Sequence, residues 1–146
     1  MNKVMTTASA RGTRTAGKLL ARHLRPGDTV LLEGDLGSGK TTFVKGLAEG
    51  LGFKHADEVK SPTFVLMRVY QAKIPVYHFD LYRLENEKEL EAFGFEEFLR
   101  DPAGISCVEW AAKAGSYQPK EALWVNFEIL GPTRRKITIR GYEGAR

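Results

Sequence analysis

The run Gly34-Asp35-Leu36-Gly37-Ser38-Gly39-Lys40-Thr41 decides the fold of this 146-residue chain. It fits the pattern of a P-loop, in which a glycine-rich turn cradles phosphates, a lysine reaches the terminal phosphate and a hydroxyl holds magnesium. Its flanks agree with that reading. Thr29-Val30-Leu31-Leu32 before it is a short apolar run, and Phe43, Val44, Leu47, Ala48 and Leu51 after it recur at helical spacing, so the order is strand, loop, helix. A nucleoside triphosphate is the first ligand this order implies.

Each residue type in the loop has a physical task. Glycines let the backbone approach an anion without a Cβ in the way, so successive N–H groups face phosphate oxygens. The helix opening near Lys40 adds unpaired N–H groups and the positive end of its dipole. Lys40 supplies a mobile positive charge, and Thr41 supplies the magnesium-binding hydroxyl of the pattern.

Residues 1–146 are expected to form one domain, long enough for a real core. Apolar content of 42% and charged content of 27% are ordinary for a soluble globular protein, and no apolar run is long enough to span a membrane. With no signal-peptide pattern at Met1 to Ala10, a cytoplasmic location is expected. Cys107 is the single cysteine, so no internal disulfide can form, and its apolar neighbours mark it as a buried small hydrophobe. His23, His55 and His78 lack metal-ligand spacing, which argues against zinc.

The net charge of +4 is unevenly placed. Lys3, Arg11, Arg14, Lys18, Arg22 and Arg25 precede Gly27 with no acid among them, whereas Glu85 to Asp101 carries seven acids against Lys88 and Arg100. Such a split can orient a nucleic acid or a charged protein, or can be two solvated helix faces.

Along the chain, Ala16, Leu19, Leu20, His23 and Leu24 predict one face of a helix that stops before Pro26-Gly27, with His23 packed in the core. A loop is expected through Lys60, then two strands, Phe64 to Tyr70 and Ile74 to Tyr82, paired as an antiparallel hairpin. In the second, Val76, His78 and Asp80 share a face. Asn86 with Glu89 signals a helix carrying Leu90 and Phe93, and a further helix carries Phe95, Phe98 and Leu99 before Asp101-Pro102. Ile105 to Val108 reads as a buried parallel strand ending in Glu109-Trp110. Leu123, Val125, Phe127 and Ile129 alternate, Gly131-Pro132 turns, and Ile137 and Ile139 alternate back. Arg134-Arg135-Lys136 falls in that hairpin turn and is expected to be solvated. The predicted fold is a three-layer α/β P-loop NTPase-like domain with a mixed parallel and antiparallel sheet.

Hydrolysis or transfer needs an acid as well as a phosphate cradle. Glu109, at the end of an apolar strand, is one candidate, and Asp80 is the other; spacing leaves open which of them meets the metal and which orients water. Ser61 and Thr63 flank Pro62 where hydroxyls can reach a γ-phosphate as a switch does. Trp110 is placed to pack on the nucleotide or shield the site.

Taken in order, the segment 34 to 43, Ser61-Pro62-Thr63-Phe64, His78-Phe79-Asp80-Leu81-Tyr82-Arg83 and Val108-Glu109-Trp110 resemble the TsaE (YjeE) family of small bacterial P-loop ATPases. The resemblance implies that Gly37, Ser38, Gly39, Lys40, Thr41 and Thr42 bind ATP and that Thr41 and Glu109 hold Mg2+. It makes Lys40, Asp80 and Glu109 the catalytic set and Ser61 to Phe64 a switch-like segment. It implies ATP hydrolysis in support of threonylcarbamoyladenosine formation on tRNA, with TsaB and TsaD proteins as partners; the basic N-terminal helix can face either tRNA or an acidic partner surface. Two departures stand out: Ala111-Ala112 follow Trp110 where the family commonly has Pro and an acid, and Gly12-Thr13 replaces an early Glu-Thr.

Two rival readings remain. A small-molecule or nucleotide kinase needs an acceptor pocket and usually an arginine-rich lid, and no lid insertion is visible. A non-hydrolysing ATP-sensing module has no need of two acids at strand ends. A GTPase is disfavoured, because no Asn-Lys-x-Asp sequence occurs.

Overall fold

The computed structural model of the protein describes residues 2–141. Seven strands form one mixed sheet in the order β1-β7-β6-β2-β5-β4-β3. They are β1 (Lys3–Thr7), β2 (Thr29–Glu33), β3 (Met67–Tyr70), β4 (Val76–Asp80), β5 (Ile105–Glu109), β6 (Leu123–Ile129) and β7 (Arg135–Arg140). The four central strands, β6, β2, β5 and β4, run parallel, and antiparallel partners close both edges. Helices α1 (Ala10–Ala21) and α2 (Lys40–Gly50) cover one face; α3 (Lys88–Phe93) and α4 (Phe95–Leu99) lie over the other. This is the expected three-layer α/β arrangement. Among the described residues no helix is long and apolar enough to cross a membrane.

The period of two along each strand sorts residues between the layers. On β2, Val30 and Leu32 pack with Ala16, Phe43 and Leu47 of α1 and α2, while Leu31 packs with Phe79, Leu90 and Phe95 on the far side. Burial on both faces is why the central strands are continuously apolar rather than alternating. Cys107, at 0% exposure, is part of that interior, and burial pushes its thiol pKa up.

Close approach of α1 to α2 depends on two small residues. A Cβ on Gly17 would meet the Phe43 carbonyl, and one on Gly46 would meet the Arg14 carbonyl. The buried face of α1 is therefore Thr13, Ala16, Gly17, Leu20 and Ala21. Leu19 and His23 turn outward and are exposed, contrary to the sequence expectation, because the small residues and not the bulkiest apolar ones set the rotation of this helix.

Two further expectations change. The strand predicted from Phe64 begins only at Met67: the N–H groups of Val65 and Leu66 donate to the Pro62 carbonyl, making a turn that leaves Phe64 and Val65 exposed. The basic N-terminal segment also contains β1, which was not foreseen; it adds to the sheet edge beside β7, with Thr7 opposite Arg135. Asn86 accepts from the Lys88 N–H, but Glu89 accepts from the Glu85 N–H and the residue before α3 is Glu87, so the expected Asn86–Glu89 cap forms only in part.

Candidate functional site

The site forms where β2, β5 and β4 end, the edge at which open parallel sheets bind ligands. Register fixes its acids: Leu32 lies opposite Glu109, and Glu109 lies opposite Asp80. Both carboxylates thus end neighbouring strands on the α2 side of the sheet. A cleft of about 400 Å3 opens above them, lined on one wall by the loop and on the other by Ser61, Thr63, Asp80, Glu109 and Trp110.

The loop turns sharply between β2 and α2. Gly37 and Gly39 take φ of 76° and 108°, left-handed values that suit glycine, and the Ser38 N–H between them closes the turn on the Asp35 carbonyl at 3.0 Å. Ser38 is buried, and its Oγ finds no protein hydrogen-bond partner. A buried hydroxyl left unpaired costs about 1–3 kcal/mol, so an acceptor from a ligand suits this position. Thr42 lines the cleft with Thr41 at the opening of α2.

Lys40 is 5% exposed. Its Nζ donates to the Gly34 carbonyl and lies 3.7 Å from the centre of the Trp110 ring. Burial lowers the pKa of this amine, and the negative charges of Glu109, Glu33, Asp80 and Asp35 oppose the shift. Trp110 itself has φ 58° and ψ 42°, a left-handed conformation that costs of order 1–3 kcal/mol for a non-glycine residue. In this conformation its ring lies over Lys40 and against Tyr82, whose ring centre is 5.0 Å away.

Thr41 Oγ1 donates toward both oxygens of Glu109, at 3.0 and 2.9 Å. Glu109 is 2% exposed and also accepts from His78 Nε2 at 2.6 Å. Asp80 makes separate contacts: Oδ2 accepts from Ser61 Oγ and from Thr63 Oγ1, the latter at 2.8 Å, and Oδ1 accepts from the Tyr82 N–H at 2.9 Å. A hydroxyl and a carboxylate are hard oxygen donors of the kind Mg2+ takes, usually one or two from protein with the rest from phosphate and water. Among the described residues no group of three or more His, Cys, Asp or Glu could hold a metal.

The structure therefore brings Lys40, Thr41, Glu109 and Trp110 together around the loop, and joins Ser61 and Thr63 to Asp80. It also corrects one expectation. Arg134 is exposed as expected, but Arg135 is half-buried and engaged: Nε donates to the Ser38 carbonyl at 3.1 Å and Nη2 to the Gly37 carbonyl at 2.9 Å, while Nη1 holds Gly131 and Arg134 of its own hairpin. The β6–β7 pairing carries this guanidinium back across the sheet to the loop, which hairpin position alone does not reveal. His78 was likewise not singled out for the site. Its place two residues before Asp80, on the same strand face, was the available signal.

Comparison with known proteins agrees with this geometry. A family described as "TsaE: Threonylcarbamoyl adenosine biosynthesis protein TsaE" matches residues 7–137. A Bacillus subtilis protein called tRNA threonylcarbamoyladenosine biosynthesis protein TsaE is 41% identical over 134 residues, covering 91% of this chain and 82% of the relative. Its Treponema pallidum namesake is 37% identical over 131 residues, covering 90% and 95%. A crystal structure of Bacillus subtilis YdiB superposes with a TM-score of 0.77 at 34% identity, covering 95% of this chain and 84% of that one.

Proposed function

The chain belongs to the TsaE family of threonylcarbamoyl adenosine biosynthesis proteins, and on that footing we propose that it is a Mg2+-dependent ATPase supporting tRNA threonylcarbamoyladenosine formation. The observation that carries the ATPase reading is the Thr41–Glu109 pair beside the buried Lys40. A phosphate cradle alone needs no acid at that hydroxyl.

The residues divide the work by position. Gly37, Ser38, Gly39 and Thr42 hold phosphate oxygens through backbone N–H groups and hydroxyls. Lys40 leaves the Gly34 carbonyl for the phosphates, which return to it the solvation that burial removed. Thr41 and Glu109 would hold Mg2+, which would supply positive charge to offset that building on the phosphate oxygens. Asp80 is the second acid, orienting water; its bonds to Ser61 and Thr63 tie it to the switch-like segment, so movement there is felt at the acid. Trp110, over Lys40, limits entry of bulk water.

Turnover is slow in the isolated protein and changes with TsaB- and TsaD-type partners and tRNA, the hydrolysis serving cycling of that assembly and not the carbamoyl chemistry. Family membership supports this role. The test is ATP turnover with and without those partners, with Lys40→Ala as control. Equal turnover in Lys40→Ala sinks the site assignment. Rapid phosphoryl transfer to a small metabolite would instead favour a kinase.

A further inference from the structure

Beneath the cleft runs a line of buried polar contacts that phosphate binding does not require. Tyr70 Oη lies 2.7 Å from His78 Nδ1, His78 Nε2 lies 2.6 Å from Glu109 Oε2, and Glu109 faces Thr41. Tyr70, His78 and Glu109 are 6%, 0% and 2% exposed. Three adjacent strands deliver them: β3 brings Tyr70, β4 brings His78 and β5 brings Glu109. Packing fixes the rings as well, with Tyr70 5.1 Å from Phe53 and 5.7 Å from His78 between ring centres.

From the contact of His78 with Tyr70 on one side and Glu109 on the other, we infer that His78 is a positioning residue that holds the Glu109 carboxylate in place for the metal-bound nucleotide. The inference rests on the proposed ATP and Mg2+ reading of the cleft.

Hydrogen-bond direction supports the assignment. An ionised carboxylate only accepts, so His78 Nε2 carries the proton it donates. The Tyr70 hydroxyl meets the other ring nitrogen, Nδ1, at 2.7 Å, so the imidazole is held from both sides. Burial raises the Tyr70 pKa, which keeps that hydroxyl protonated. The arrangement is needed because Thr41 has two tasks. Its hydroxyl anchors Glu109 in the free cleft, yet a lone pair of the same oxygen must turn to the metal when nucleotide arrives. The His78 contact on Oε2, made from the neighbouring strand, would keep the carboxylate in place when the Thr41 hydroxyl turns away. Partners that orient a metal-binding group in this way typically contribute 10- to 100-fold in metal affinity or activity.

The experiment compares wild type, His78→Leu, His78→Gln and Tyr70→Phe by calorimetry with a non-hydrolysable ATP analogue, in Mg2+ and in EDTA. In His78→Leu the gain in affinity that Mg2+ confers falls about tenfold or more, while affinity in EDTA stays within about twofold of wild type. His78→Gln keeps most of the gain, because its amide N–H can reach the carboxylate. Tyr70→Phe, which retains the ring packing, loses part of the gain. An undiminished gain in His78→Leu, or a loss in His78→Gln as large as in His78→Leu, overturns the inference. Should His78→Leu fail to fold, Tyr70→Phe decides: a reduced gain supports the assignment and an unchanged one overturns it. Absence of nucleotide binding in wild type would instead refute the proposed function itself.

Discussion

Thr41 and Glu109, 68 residues apart in sequence, meet at 2.9 and 3.0 Å at the floor of the cleft. The helix that opens the P-loop and the strand beside it thus share one oxygen-rich corner. Glu109→Gln preserves the shape and one acceptor but removes the charge. Turnover is expected to fall about 10- to 100-fold, with the Mg2+ concentration for half-maximal rate moving up. A Mg2+ titration of the steady-state rate measures both, and an unmoved midpoint would place the metal elsewhere.

Lys40 is held at a cost. Burial lowers its pKa from the ordinary 10.5, so between the lowered value and 10.5 the unfolded chain binds more protons than the native protein, and stability rises with pH across that window. Below it, the penalty for burying the charged amine is fully present. Lys40→Met is therefore expected to be more stable than the parent at pH 7 while losing nucleotide binding, and the stability gap should narrow toward pH 10. Urea titrations at the two pH values provide the comparison; a gap that stays constant would mean that desolvation of Lys40 is not its cause.

Arg135, on β7 two strands away from β2, braces the loop through the Gly37 and Ser38 carbonyls. Hydrogen bonds from a charged donor contribute about 1.5–3 kcal/mol each, and part of that is lost when Arg135→Ala frees the loop. Nucleotide affinity should weaken about tenfold, a change of about 1.4 kcal/mol. Arg135→Lys should recover little, since a single ammonium cannot reproduce the planar fork that spans two carbonyls. Calorimetry on the two variants tests this, and full recovery by lysine would reduce the role of Arg135 to its charge.

Gly46 lies where α1 and α2 cross, against the Arg14 carbonyl. In most helices Gly→Ala is stabilising, by about 1 kcal/mol. Here the added methyl forces the helices apart, and Gly46→Ala is expected to destabilise by about 1–3 kcal/mol. A denaturant midpoint that rises rather than falls would show that the crossing can relax.

What the sequence disclosed about this molecule follows the range of each interaction. The P-loop, the Glu109 strand and the terminal hairpin are local patterns, so spacing and periodicity expose them directly. Arg135 and His78 are different, because their partners depend on strand order. His78 and Asp80 share a face of β4, and Cys107 and Glu109 share a face of β5, but only the pairing of His78 with Cys107 and Asp80 with Glu109 puts the imidazole beside the carboxylate. Strand β1 was hidden for a related reason, since Lys3–Thr7 gains its conformation from the edge of β7 and not from an alternating pattern of its own. At Leu19 and His23 a hydrophobic count misjudged the helix rotation, which is decided by how closely Gly17 lets α2 approach.

The brace from Arg135 has a consequence for the order of events during synthesis. Arg135 follows Ser38 by 97 residues. At about 5–20 residues per second the ribosome takes about 5–20 s to span that interval. The loop sequence therefore leaves the ribosome long before the strand that steadies it, and it gains that support only as the last hairpin closes onto the sheet.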